Sequence, residues 1–257
     1  MIDVHNHLQD PRFLGRQSEI IETMKETGIT GCVVTGTSET DWPEVARLAD
    51  KFSDFISPAF GLHPWKINSR SSVWLETLKN YLHRFPHATL GECGLDRWMK
   101  SPNLEDQHQI FRDQMNLALS LDRSITIHCL RAWGPMMSEL RDFQRLPRFL
   151  FHSFGGSLEI GEEAARMGGF FSFSGYFLQP KKARTREIFS RLPIKRILVE
   201  TDAPEMALPN PKFQFKNLNH PANLAFISRE LAEICDTEQK TFTTNTYAFW
   251  GEDQKIR

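Results

Sequence analysis

Six side chains of the kinds that bind divalent cations stand in or just after short apolar runs of this sequence. They are His5 and His7 in IDVHNH, Glu92 in ATLGE, His128 in SITIHC, His152 in RFLFHS and Asp202 in RILVETD. Along a β-strand, residues i and i+2 project to one face, so His5 and His7 point the same way while Val4 and Asn6 point the other. His-x-His alone is a short pattern and equally fits two partly buried histidines. Together, the four imidazoles and two carboxylates make a ligand set for one or two divalent cations of the Zn, Mn, Co or Ni type, with Mg less natural for so many nitrogens. Six donors exceed the three protein ligands and one water that a catalytic zinc usually takes, so two ions sharing a bridging carboxylate fit better. Two cations held close together lower the pKa of a shared water toward neutrality, which is the chemistry of hydrolysis.

These residues can act together only if the chain brings them together. Short β-branched or aromatic runs recur at residues 2–7, 31–36, 55–61, 88–92, 124–129, 148–153, 168–175 and 196–202. Helical spacing fills the gaps at 18–28, 44–52, 72–85, 105–121, 134–143, 158–168, 185–192 and 221–235. Alternation of this kind implies parallel strands joined by right-handed crossovers, and eight units favour a single closed (β/α)8 TIM barrel over an open doubly wound sheet. The G-x-G-x-x-G fingerprint of a dinucleotide-binding sheet is absent after the first strand. In a barrel the C-terminal strand ends ring one mouth. The six residues are expected there, with Glu92 ending the fourth strand and Asp202 the eighth. Residues 203–221, rich in proline and asparagine, form the one long irregular stretch, and loops of that length are often functional.

Bulk properties narrow the classes. One domain over residues 1–257 is expected, with 40% hydrophobic and 25% charged residues as in an ordinary globular protein. A formal charge of −1 provides no global field for nucleic acid, so any phosphate binding must be local. Cys32, Cys93, Cys129 and Cys235 are scattered, with no C-x-x-C pair, which fits a reducing compartment. With no secretory pattern at the start and no apolar stretch near the ~20 residues of a membrane span, a cytoplasmic location is expected.

The motifs IDVHNHL, FGLHPW (60–65), LGECGLD (90–96), IHCLRA (127–132), FHSFGGS (151–157) and ILVETDAP (197–204), in this order, resemble the TatD family of metal-dependent hydrolases. The family is an amidohydrolase-like branch whose members include deoxyribonucleases. The resemblance runs nearly end to end and continues to TTNTYAFWG at 243–251. It implies two divalent metal ions, Zn, Mn or Mg, one held by His5 and His7 and the other by His128 and His152. Glu92 would bridge them, and Asp202 would bind the first and accept the proton. The resemblance also makes His63, in the G-x-H-P turn, a substrate-facing catalytic residue. Asp96 is expected to orient a ligand or close a loop. Gln107, Phe111 and Gln114 are expected to pack one helix face on the barrel, and Asn245 to be structural.

Two departures bear on substrate. Leu130 stands where the family commonly has arginine, with Arg131 one residue later, and KFQFKNLNHP replaces an arginine-glycine-lysine segment, leaving Lys212, Lys216 and His220. Lysine does not reproduce the bidentate phosphate contact of arginine. QPKKARTR at 179–186 is a candidate phosphate grip or a solvated surface, and Trp65, Trp98 and Trp133 either stack bases or cap the barrel. The leading expectation is an exonuclease-type phosphodiesterase acting on single-stranded DNA or DNA ends, without membrane association. The alternative is a hydrolase of small amides, lactones or other esters. A barrel kept only for binding is disfavoured because every expected ligand is present.

Overall fold

All eight expected strands form, and they hydrogen-bond in sequence order in one parallel sheet. The computed structural model describes residues 1–251; residues 252–257 of the expected domain lie outside the described residues. The strands are β1 (Ile2–Asn6), β2 (Gly31–Thr35), β3 (Ile56–Phe60), β4 (Thr89–Asp96), β5 (Ile125–Leu130), β6 (Phe149–Phe151), β7 (Phe170–Phe173) and β8 (Ile197–Val199). Between them run α1 (Gln17–Glu26), α2 (Trp42–Lys51), α3 (Trp74–Arg84), α4 (Leu104–Ser120), α5 (Trp133–Asp142), α6 (Leu158–Arg166) and α7 (Ala183–Arg191), followed by α8 (Leu224–Ile234) and α9 (Lys240–Trp250). The architecture is the (β/α)8 barrel.

The barrel closes just beyond β8. Asp202 N–H donates to His5 O at 2.9 Å and His7 N–H to Ala203 O at 2.8 Å, so the chain after β8 completes the ring against the end of β1. Asp202 therefore lies three residues past the last strand residue, Val199, and not on the strand. The fourth strand differs in the other sense. It runs on past Glu92 to Asp96, because Cys93–Asp96 pair with Ile127–Leu130 after a register shift beyond Leu90. Gly94 permits that pairing: a Cβ at its φ of +148° would collide with the carbonyl oxygen of His128.

Two apolar clusters hold the layers together. In the larger, strand residues meet the helices, and Phe151, Phe154, Phe171, Phe173 and Phe189 are fully buried. In the smaller, Val4, Val33, Ala59, Leu150 and Leu198 pack with Phe249 and Trp250 of α9, a helix whose β-branched sequence TFTTNTYAFW hides its period. The long loop after β8 carries a two-residue hairpin, Gln214–Phe215 against Leu218–Asn219. Its turn residues Lys216 and Asn217 have φ of +48° and +67°, as a tight primed turn requires.

Candidate metal centre

Glu92, 3% exposed, sits at the middle of the expected ligands, and its two oxygens face different groups. Oε2 lies 3.4 Å from His5 Nε2 and 3.6 Å from His7 Nε2, and Asp202 Oδ1 is 3.6 and 3.4 Å from the same two nitrogens. Oε1 lies 2.7 Å from His152 Nε2, 2.9 Å from His128 Nδ1 and 3.3 Å from His63 Nε2. The chain thus brings together all six expected ligands, with His63 beside them.

Each imidazole turns one nitrogen to the fold and the other to Glu92. His7 Nδ1 donates to Thr35 O at 2.8 Å, and His5 Nδ1 lies 3.5 Å from Thr35 Oγ1. His128 Nε2 donates to Asp96 Oδ2 at 2.9 Å, while His152 Nδ1 lies 3.7 Å from Glu200 Oε1. A partner behind one ring nitrogen fixes the ring's direction and leaves the other nitrogen's lone pair free for a cation. His5 Nε2 is buried with no hydrogen-bond partner, which is costly for a polar atom unless something else meets it. Metal–donor bonds of about 2.0–2.2 Å at tetrahedral angles place two donors roughly 3.3–3.5 Å apart. The spacings of 3.4 and 3.6 Å around His5, His7, Glu92 and Asp202 match, so the donor set fits a cation.

The electrostatics suit this geometry. Burial opposes charge on Glu92, yet His152, His63 and His128 hold its carboxyl well below the usual range. Burial also opposes the charge of Asp202, but His7, His152 and His5 keep it low. His63 behaves oppositely: burial pushes it down to about 4, so its ring is neutral at pH 7. His63 Nδ1 accepts Trp65 N–H at 3.0 Å, which leaves the proton on Nε2, facing Glu92.

Several supports carry no sequence signature of their own. Glu200, fully buried, accepts hydrogen bonds from Ser153 N, Ser153 Oγ and Ser172 Oγ behind His152. Asp3 accepts from Thr201 N at 3.0 Å and from Thr201 Oγ1, tying β1 to the segment carrying Asp202. Gln107 and Gln114 do more than pack: the Gln107 side chain pairs with the backbone N–H and C=O of Asp96, and that of Gln114 with those of Leu62, beside His63. Phe111 is buried in the core as expected. Asn245 lies well inside α9 and donates to Ile194 O and Ile197 O, a structural role.

A cavity of about 610 Å³ opens over these residues. It is lined by His7, His63, Glu92, His128, His152 and Asp202, and its mouth by Trp65, Lys66, Trp98, Leu130, Tyr176 and Met206. Leu130 occupies the wall, and Arg131 is turned away over Trp98, its guanidinium carbon 5.7 Å from the ring centre. In the basic run, Lys181 and Lys182 sit over the Tyr176 ring at the rim, whereas Arg186 is committed to Phe177 O and Gln179 O. Lys212, Lys216 and His220 do not line this cavity, and Trp133 packs against Phe151 and Phe154.

A (β/α)8 barrel with imidazoles and carboxylates gathered at one mouth is a construction suited to metal-dependent hydrolysis. Residues 2–250 match the model of the TatD-related DNase family, and the chain belongs to that family. It is 30% identical over 257 residues, 97% of each chain, to the Escherichia coli K12 metal-dependent hydrolase YjjV. The crystal structure of YjjV superposes with a TM-score of 0.89 and covers 97% of both chains. An Edwardsiella piscicida protein named 3'-5' ssDNA/RNA exonuclease TatD is 27% identical over 241 residues, 90% of each chain. The chain is a TatD-family metal-dependent hydrolase. Among the described residues no helix is long and apolar enough to cross a membrane.

Proposed function

We propose that this protein is a nuclease that removes nucleotides from the ends of single strands by metal-dependent hydrolysis of the phosphodiester. The observation that carries this reading is the division of Glu92 between two donor sets, His5 and His7 on Oε2 with Asp202 facing the same two nitrogens, and His128 and His152 on Oε1. These residues would hold two divalent cations, Zn, Mn or Mg, which when bound supply an acidified water and a Lewis acid for the phosphoryl oxygens. Asp202, ionised and lining the cavity, takes the proton from the attacking water. His63, neutral and lining the cavity, turns its Nε2 proton from Glu92, which the cations would engage, toward charge developing on the substrate. Lys66, with Lys181 and Lys182 beside Tyr176, supplies positive charge along the strand's exit. Residues 1–257 act as one domain, and the unpaired cysteines suit the cytoplasm.

The test is digestion of an end-labelled single-stranded oligonucleotide after metal removal and readdition of Mg or Mn, with Asp202→Asn as control. A stepwise ladder from wild type alone supports the reading; no cleavage with any metal rejects it. The apolar wall of Leu130, Met206 and Ala207 favours a second reading, a small uncharged ester or lactone. Turnover of such substrates that is indifferent to salt, in a protein inert to DNA, would establish it.

A further inference from the structure

The two most exposed tryptophans flank the chemistry. Trp65 and Trp98 are 52% and 58% exposed and both line the cavity over Glu92. Trp133, the third indole to follow a strand end, is partly buried against Phe151 and Phe154. A tryptophan that only capped the barrel would be covered in the same way. Large apolar rings left in water at a cavity mouth carry a solvation cost that a planar ligand removes.

One buried carboxylate holds the Trp65 ring and the backbone that carries Trp98. Asp96 Oδ2 accepts the Trp65 indole N–H at 2.7 Å, and Asp96 Oδ1 accepts the backbone N–H of Trp98 at 2.6 Å and of Met99 at 3.1 Å. The same Oδ2 meets His128 Nε2, so the Trp65 indole and the start of the Trp98 segment are anchored relative to the metal-binding histidines. Trp65 also meets His63 edge-on, with ring centres 5.4 Å apart. A pre-positioned ring loses little freedom when a ligand stacks on it.

Resting on the nuclease reading above, we propose that Trp65 and Trp98 form a nucleobase subsite that stacks the base of the terminal nucleotide of a single strand. Every base has a π-face, so the subsite tolerates any sequence. A paired end must first give up its pairing and stacking, so the subsite favours unpaired termini. Arg131, whose guanidinium lies over one face of the Trp98 ring, adds positive charge there and leaves the other face to the base.

The experiment compares a metal-loaded wild-type protein with Trp98→Ala, Trp98→Phe and Val73→Ala, the last an exposed apolar control outside the cavity. Substrates are a single-stranded oligonucleotide and the same strand with its terminal nucleotide abasic at either end. For wild type, removing the terminal base at the attacked end raises KM roughly ten-fold or more. Trp98→Ala brings that ratio close to one, Trp98→Phe restores most of it, and Val73→Ala keeps it. In the Asp202→Asn background, tryptophan fluorescence is quenched more by the base-bearing strand than by the abasic one. Cleavage by wild type with equal KM for both strands overturns the subsite and leaves the nuclease reading intact. A ratio unchanged in Trp98→Ala does the same. Failure of wild type to cut either strand rejects both.

Discussion

Asp96 Oδ2 lies 2.9 Å from His128 Nε2, and this single contact turns His128 Nδ1 toward Glu92 and His152. Oδ2 also carries the Trp65 indole, and Oδ1 two backbone N–H groups, so both oxygens are in use. An asparagine has one acceptor oxygen and must abandon one side. Partners behind metal-binding histidines are typically worth about 10- to 100-fold in metal affinity or activity. Asp96→Asn is expected to weaken uptake of one of two ions by that factor while the protein stays folded, as read by metal titration with circular dichroism. Wild-type affinity for both ions would show that His128 needs no such support.

The proposed mechanism gives Asp202 the proton and Glu92 the cations. Asp202→Asn keeps an oxygen among the imidazoles but cannot accept a proton, so metal content should fall little while kcat drops by at least about 100-fold. Elemental analysis beside single-turnover rates checks this. A variant that keeps its rate would move the proton acceptor elsewhere.

Gln114 clamps the backbone of Leu62, one residue before His63, with bonds of 2.8 and 3.1 Å. Gln114→Leu leaves a buried N–H and a buried C=O without partners, at a cost of about 2–4 kcal/mol. Urea unfolding should show a lower midpoint with an unchanged slope. A midpoint equal to that of wild type would mean that the loop finds other partners.

His220 gives a pH test away from the metal centre. Its Nδ1 accepts Ala222 N–H at 3.1 Å, and burial, opposed by Glu19 and aided by Arg16, holds its pKa down to about 4. In the unfolded chain the ring titrates near 6.5, so between pH 6.5 and 4 the unfolded state binds more protons than the folded one. Stability from this group is fully present above pH 6.5 and declines as pH falls toward 4. His220→Asn keeps an acceptor without titrating and should lose Tm less steeply over that interval. Parallel Tm profiles for the two proteins would contradict the burial effect.

Residue pattern reveals the barrel because every strand is a short β-branched or aromatic run with a helical stretch behind it. The positions of the histidines on those runs then place them at one mouth. Pattern fails where a role depends on tertiary neighbours. Thr35, Glu200 and Asp3 stand behind His7, His152 and Thr201 only because β1, β2, β6 and β8 meet. The extension of β4 beyond Glu92 is hidden by Gly94, which reads as a strand end but admits close pairing with His128. Likewise Trp65, Trp98 and Trp133 look equivalent in sequence, and only packing distinguishes the exposed pair from the partly buried one.

The central claim is that Glu92 is shared between two metal sites, and counting ions tests it most directly. Wild type and Glu92→Ala, stripped and then reloaded with Mn, would be compared by elemental analysis together with the rate of oligonucleotide cleavage. Sharing requires two ions per chain in wild type and loss of both ions and of turnover in Glu92→Ala. A Glu92→Ala protein with wild-type metal content and rate would contradict it.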